Sequence, residues 1–102
     1  MRYLVQFTVP TAHGNESIRS GRLQKVFTQL MADLKPEAAY FFPADGQRAG
    51  LLVINSDSPM VDLEVGERFW LGLQASVKIT PCMTGDDLGK GLAGLPKILQ
   101  SY

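Results

Sequence analysis

The sequence holds one cysteine, one histidine and one tryptophan in 102 residues, and it has no excess charge, with ten basic residues against ten acidic ones. The lone Cys82 rules out an internal disulfide. With no charged segment leading into an apolar stretch at the start, a reducing, cytoplasmic setting is expected. A single histidine cannot complete a common zinc site, so no metal is expected. Balanced charge leaves no footprint for nucleic acid or for an anionic membrane surface, both of which ask for clustered Lys and Arg. Every apolar run is far shorter than the roughly 20 residues that a membrane-spanning helix needs. The patterns GxGxxG, GxxxxGK[ST], GxSxG and CxxC are all missing. Nucleotide-phosphate, serine-elbow and thiol-redox chemistries therefore lack their minimal parts, and no cofactor is expected.

What is present is a pattern of elements that reads as a single domain over residues 1–102. At this size the core is thin, and burial against a second copy would help it. Tyr3, Val5, Phe7 and Val9 alternate with Leu4, Gln6 and Thr8, which predicts a strand over 2–9 with one apolar face. Pro10 to Asn15 reads as a loop. Asn15 or Ser17 then caps a helix that runs to Leu34, with Leu23, Val26, Phe27, Leu30, Met31 and Leu34 on one stripe and Gly21 a weak point. Residues 37–42 and 48–55 read as strands around the turn chemistry of Pro43-Ala44-Asp45-Gly46. Ser58 before Pro59 predicts a second helix to Leu71, and the alternation of Ala75, Val77 and Ile79 predicts a fourth strand over 74–80. Thr84 with Asp87 has capping-box spacing and starts a glycine-rich third helix. Its Leu88, Leu92 and Leu95 are expected to dock on the domain or on a partner subunit.

The order βαββαβ predicts an α+β, ferredoxin-like sandwich. Its four antiparallel strands lie in the order 4-1-3-2, with both helices on one face and a short third helix appended. The uncovered face carries Leu4, Gln6, Thr8, Ser76, Lys78 and Thr80 and turns apolar at the third strand. Such a face asks for a partner or a ligand, and a homodimer enclosing a mixed-polarity cavity is expected. The same element order occurs in RNA-binding RRM domains. Those need stacking aromatics on the third strand, and Arg48 to Asn55 offers none.

His13 is the natural general acid or base, because its unperturbed pKa lies near neutrality. Arg48 can fork onto a carboxylate or pair locally with Asp45. Chain direction gathers His13, Asp45, Arg48 and Trp70 at one rim, beside the amino end of the first helix. Tyr40 and Trp70 are candidate pocket walls, against the plainer role of core aromatics. Lys78 is either a cavity amine or a charge that guards an edge strand. Cys82 has no neighbouring base, and Glu64 and Glu67 read as a solvated helix face.

Two stretches, Phe41-Phe42-Pro43-Ala44-Asp45-Gly46-Gln47-Arg48-Ala49-Gly50 and Ile79-Thr80-Pro81-Cys82-Met83-Thr84-Gly85-Asp86-Asp87-Leu88, carry a resemblance. Across about half its length the chain resembles small bacterial proteins of the dimeric α+β barrel superfamily, which includes muconolactone isomerases and cofactor-free monooxygenases. Gly85-Asp86 stands where those relatives are expected to carry Pro-Glu, a departure that weakens the third helix. The resemblance implies a dimer with a pocket bounded by sheet and helices. It carries over no catalytic residue. Two functions follow as expectations. The first is a homodimer binding a small aromatic or carboxylate metabolite, with His13 as base and Arg48 as anchor in an isomerase or cofactor-free monooxygenase. The second is a non-catalytic dimerisation or ligand-sensing module resembling ACT-type regulatory domains.

Overall fold

The computed structural model describes Met1–Tyr102. Period-two alternation in the first segment produces β1 (Arg2–Val9), whose Val5, Phe7 and Val9 are buried. The chain continues through α1 (Thr11–Arg19), α2 (Arg22–Leu34), β2 (Ala38–Ala44), β3 (Gln47–Asn55), α3 (Val61–Leu73), β4 (Ser76–Cys82), α4 (Gly85–Ala93) and α5 (Leu95–Ser101). The strands form one antiparallel sheet in the order β2-β3-β1-β4, which read from the β4 edge is 4-1-3-2. No helix is long and apolar enough to cross a membrane.

Register fixes what each face carries. Val5 sits opposite Leu52 and Ile79, and Phe7 opposite Gly50 and Val77, so their side chains share the face that packs on the helices. There Val5, Leu52, Phe69 and Leu73 are fully enclosed, and each such side chain contributes about 1.5–3 kcal/mol through burial. Leu30 joins this core from α2, with Leu23, Val26, Phe27, Met31 and Leu34 packed at its edge, as the stripe predicts. Phe7 stacks on Phe69 with ring centroids 4.9 Å apart and on Phe27 at 5.6 Å. The other face of the sheet carries Leu4, Leu51 and Val53, half-buried, with Tyr40 and Phe42 exposed beside them. The third strand is apolar on both faces as expected, but this chain covers only one of them.

Several boundaries differ from expectation. The predicted loop over 10–15 is helical from Thr11. Pro10 precedes the helix with φ −55° and ψ 135°, Gly14 N–H donates to the Pro10 carbonyl, and no side chain caps the end. Asn15 and Ser17 therefore lie inside the helix rather than at its cap. Weak helix formers are overridden here by packing, because Gly14 and Ser17 are buried. Gly21 does more than weaken one long helix: at φ +79° it breaks it into α1 and α2, in a left-handed conformation that glycine adopts without strain. Ser58 does not cap α3 at once. Its hydroxyl accepts from Met60 N–H at 3.1 Å and donates to Glu64 at 2.9 Å, and the helix starts at Val61. Val65, Phe69 and Leu73 of α3 are buried, while Met60, Leu63 and Trp70 are about half exposed. Asp45 (φ +52°) and Gly46 (φ +74°) form a tight hairpin turn with two left-handed residues, which extends β2 to Ala44.

The capping box at Thr84 is present: Asp87 N–H donates to Thr84 Oγ1, and Thr84 N–H donates to Asp87 Oδ2, both at 3.1 Å. The helix it starts breaks at Gly94, and α5 follows with Pro96 in its first turn. Of the two places expected for this segment, the body of its own chain is not the one it takes here: neither α4 nor α5 has a buried residue. The root of this arm is nevertheless tied down. Arg2 bridges Glu37 at 2.6 Å and Asp87 at 3.5 Å, and Asn55 adds a hydrogen bond to Glu37 at 3.0 Å. The Thr84 backbone N–H, then its side chain, and then Arg2 and Lys90 hold the Asp87 carboxyl below its ordinary value, and Glu37 raises the Arg2 guanidinium above its own.

Candidate functional site

β1 ends, β2 and β3 meet in their hairpin, and α1 begins at one end of the sheet. Between these elements and α2 lies an open hollow of about 740 Å³, a size suited to a small ligand. Its floor and walls are aromatic, with Phe7 from β1, Phe27 from α2 and Phe41 from β2, and Phe42 meets it only at the strand's edge. Phe41 stands at 90° to Phe27, with centroids 5.6 Å apart, so a planar ring entering the hollow meets both faces and edges of its neighbours. Val9 and Leu23 complete the apolar lining.

The polar groups sit on one side. Thr11 and Asn15 are one turn apart on α1 and share a face, and Gln47 and Arg48 follow the hairpin. Arg48 is the only charged residue on the lining, which holds no carboxylate, histidine or lysine. Its side chain lies over Gly14, where an added Cβ would fall 2.8 Å from Nη1 and 3.5 Å from Cδ. A glycine at that point of α1 makes the passage of the guanidinium possible. Arg48 is joined to no carboxylate, Asp45 included, and makes no side-chain hydrogen bond. The guanidinium thus meets the hollow with its donors free, in the planar fork that matches a carboxylate.

The other sequence-predicted residues lie elsewhere. His13 is half-buried and Nε2 has no partner, as is true of Ser17 Oγ one turn later. These two stand about half a turn of helix away from Thr11 and Asn15, on the far side of α1 from the hollow. Tyr40 is 64% exposed on the uncovered face of the sheet, opposite Leu51. Trp70 lies against Gly66 of its own helix and does not reach the hollow. Lys78, opposite Gln6, lines a second, smaller depression of about 340 Å³ with Thr8, Ser76 and Phe42. Of the expected rim, the structure brings together Arg48, the hairpin and the start of α1, and it leaves His13, Tyr40, Trp70 and Lys78 outside. Sequence reasoning missed Phe41, Phe42, Asn15 and Gln47. The available signal was the edge position of the second strand: its Phe41 shares the helix-facing side with Phe7 yet is 58% exposed, because the helices end short of the edge.

No protein-family model matches the chain, and no curated protein matches it in sequence.

Proposed function

We propose that the chain is a small-molecule-binding protein of the dimeric α+β barrel type, working as a homodimer and taking a small aromatic carboxylate in the hollow beneath the β2–β3 hairpin. One observation carries the reading: the rings of Phe7, Phe27 and Phe41 face a space whose single charge is an unpaired Arg48. Aromatic walls favour a planar apolar ring by area and by stacking, and an unshared guanidinium selects an anion. The dimer is supported by the uncovered sheet face, where Leu51, Val53, Leu4 and Phe42 have no partner in this chain.

Non-catalytic binding, as in a ligand sensor, accounts for the lining more simply than isomerisation or cofactor-free oxygenation. Both reactions need a proton acceptor beside the ring, and His13 would have to leave the opposite side of α1 to serve. Benzoate and its neutral analogue benzamide test the reading by NMR titration. Benzoate should shift the amide signals of Thr11, Asn15, Gln47 and Arg48 and outcompete benzamide. Arg48→Ala should weaken benzoate by about 10–150-fold, since a hydrogen bond to a charged group contributes about 1.5–3 kcal/mol. Equal binding of both probes, or of benzoate to both proteins, would overturn the assignment.

A further inference from the structure

We infer that the α4–α5 arm is an exchanged clasp, which crosses to a second copy of this chain and packs along the aromatic edge strand β2 there, forming the outer wall of that copy's hollow. The inference takes its partner from the dimer proposed above, but it rests on separate observations.

The first is surface. A compact chain of this mass exposes roughly 5,700 Å² and has a radius of gyration of about 13 Å. This one exposes 7037 Å², has a radius of gyration of 16.9 Å and extends 59 Å along its longest axis. The excess is on the order of 1,300 Å² per chain. Doubled, it falls within the range of obligate homodimer interfaces, roughly 2,000–5,000 Å².

The second is the arm itself. Leu88, Leu92, Leu95, Ile98, Leu99 and Tyr102 are all exposed, from 42% upward. A helix with Gly at 85, 89 and 91 does not persist in water on propensity alone. Its start is nonetheless fixed by the Thr84–Asp87 box and by the Arg2–Asp87 bridge, so the arm is held away from its own sheet. An apolar stripe that is rigidly aimed outward is complete only against another molecule.

The third is a matching vacancy. Ala38-Ala39-Tyr40-Phe41-Phe42 is an uncharged edge strand with Tyr40 64%, Phe41 58% and Phe42 40% exposed, and edges of this kind are covered in folded proteins. At about 24 Å, the sixteen helical residues of the arm are as long as the seven-residue strand. The exposed apolar patch on α3, around Met60 and Leu71, is interrupted by Asp62, Glu64, Glu67 and Arg68 and fits the stripe less well. Because the same two surfaces occur on every copy, a two-fold axis satisfies both at once and the assembly closes. Phe41 and Phe42 also line the hollow, so the partner's leucines would finish its mouth.

The test uses the full chain with a photoreactive benzoylphenylalanine at position 92, mixed as heavy- and light-isotope copies, alongside Leu88→Lys/Leu92→Lys in an otherwise unchanged chain. Expected are adducts that join heavy to light chains at residues 38–44, and a dissociation constant raised at least tenfold in the lysine variant by sedimentation. Circular dichroism should report an intact sheet. Adducts confined to one chain, or placed on α3, would overturn the clasp. A lysine variant that stays as dimeric as the parent would also overturn it while leaving the dimer reading intact. A parent chain that is monomeric would remove both.

Discussion

Gly50→Ala is a severe test of the core at the base of the hollow. Gly50 is buried in β3 opposite Phe7 and Phe41, and a Cβ there would lie 2.7 Å from Phe7 Cζ, 2.9 Å from Phe7 Cε1 and 2.7 Å from the Tyr40 carbonyl oxygen. Comfortable carbon contacts are about 3.5–4.0 Å, so the overlap approaches an ångström on two sides. Neither neighbour can yield cheaply. The oxygen belongs to the adjacent strand's backbone, and the Phe7 ring, 4% exposed, is boxed in by Phe27, Phe41 and Phe69. Overpacking of this kind costs about 1–3 kcal/mol, and the narrower unfolded ensemble of alanine returns about 0.4–1 kcal/mol. The net expectation is a loss of about 1–2 kcal/mol, or roughly 5–15 °C in Tm for a domain of this size. Urea and thermal unfolding at one fixed protein concentration give the value, since the Tm of the proposed dimer would depend on concentration. Unchanged or raised stability would refute the argument and mean that the Phe7 ring is free to move.

Gly14→Ala should behave in the opposite way. The clash at 2.8 Å is with the mobile end of Arg48, so the fold gains up to about 1 kcal/mol of helix propensity while benzoate affinity falls, as unfolding and titration in parallel would show. Gly66→Ala places a Cβ 2.7 Å from the Trp70 ring, which is 45% exposed and free to swing out. Emission from the sole tryptophan should shift to the red with little change in Tm, and an unshifted spectrum would contradict the stacking. Because the Asp87 carboxyl is held below its ordinary value, the cap it makes is fully present above the ordinary carboxylate pKa of about 4 and is lost as the pH falls through the lower native value. Carbon-detected NMR should place the Asp87 midpoint below that of a free aspartate, and Thr84→Ala should move it upward. Coincident midpoints would argue against the box.

Much of the architecture was legible because its signals are local and periodic. Val5-Gln6-Phe7-Thr8-Val9 can only alternate, and Thr84 with Asp87 announces a helix start whatever follows. The break at Gly21 was visible as a weak point but not as a left-handed hinge, because one glycine inside a helical stripe is commonly tolerated. The helix through His13 was hidden for another reason. Thr11-Ala12-His13-Gly14-Asn15 has poor propensity, and what makes it helical is the buried side of Gly14 and Ser17, a tertiary effect with no local trace. That same turn of helix decided the site. Read as a loop, His13 was free to join Arg48 at the rim; on a helix, its position relative to Thr11 and Asn15 turns it away from the hollow. Arg48 was legible because hairpin chemistry fixed its place at the sheet's end. Phe41 was not, since its exposure depends on how far α1 and α2 reach across the sheet, nor was Phe42, which stands on the face they leave open.

The strand order also has a consequence in time. β1 lies between β3 and β4, so the earliest strand in the chain has both of its edges completed by strands that come much later: Val5 waits for Leu52 on one side and Ile79 on the other. During synthesis β1 emerges as an apolar ribbon with two open edges; β3 can close one of them once it has emerged, and the other stays open until β4 arrives. Folding is therefore committed when β4 arrives, and contacts so distant in sequence make that step slow. Until then the nascent chain presents Tyr3, Val5, Phe7 and Val9 to whatever chaperones attend it. Substitutions that speed β2–β3 hairpin formation, around Asp45-Gly46, would shorten this wait less than those that favour the docking of β4.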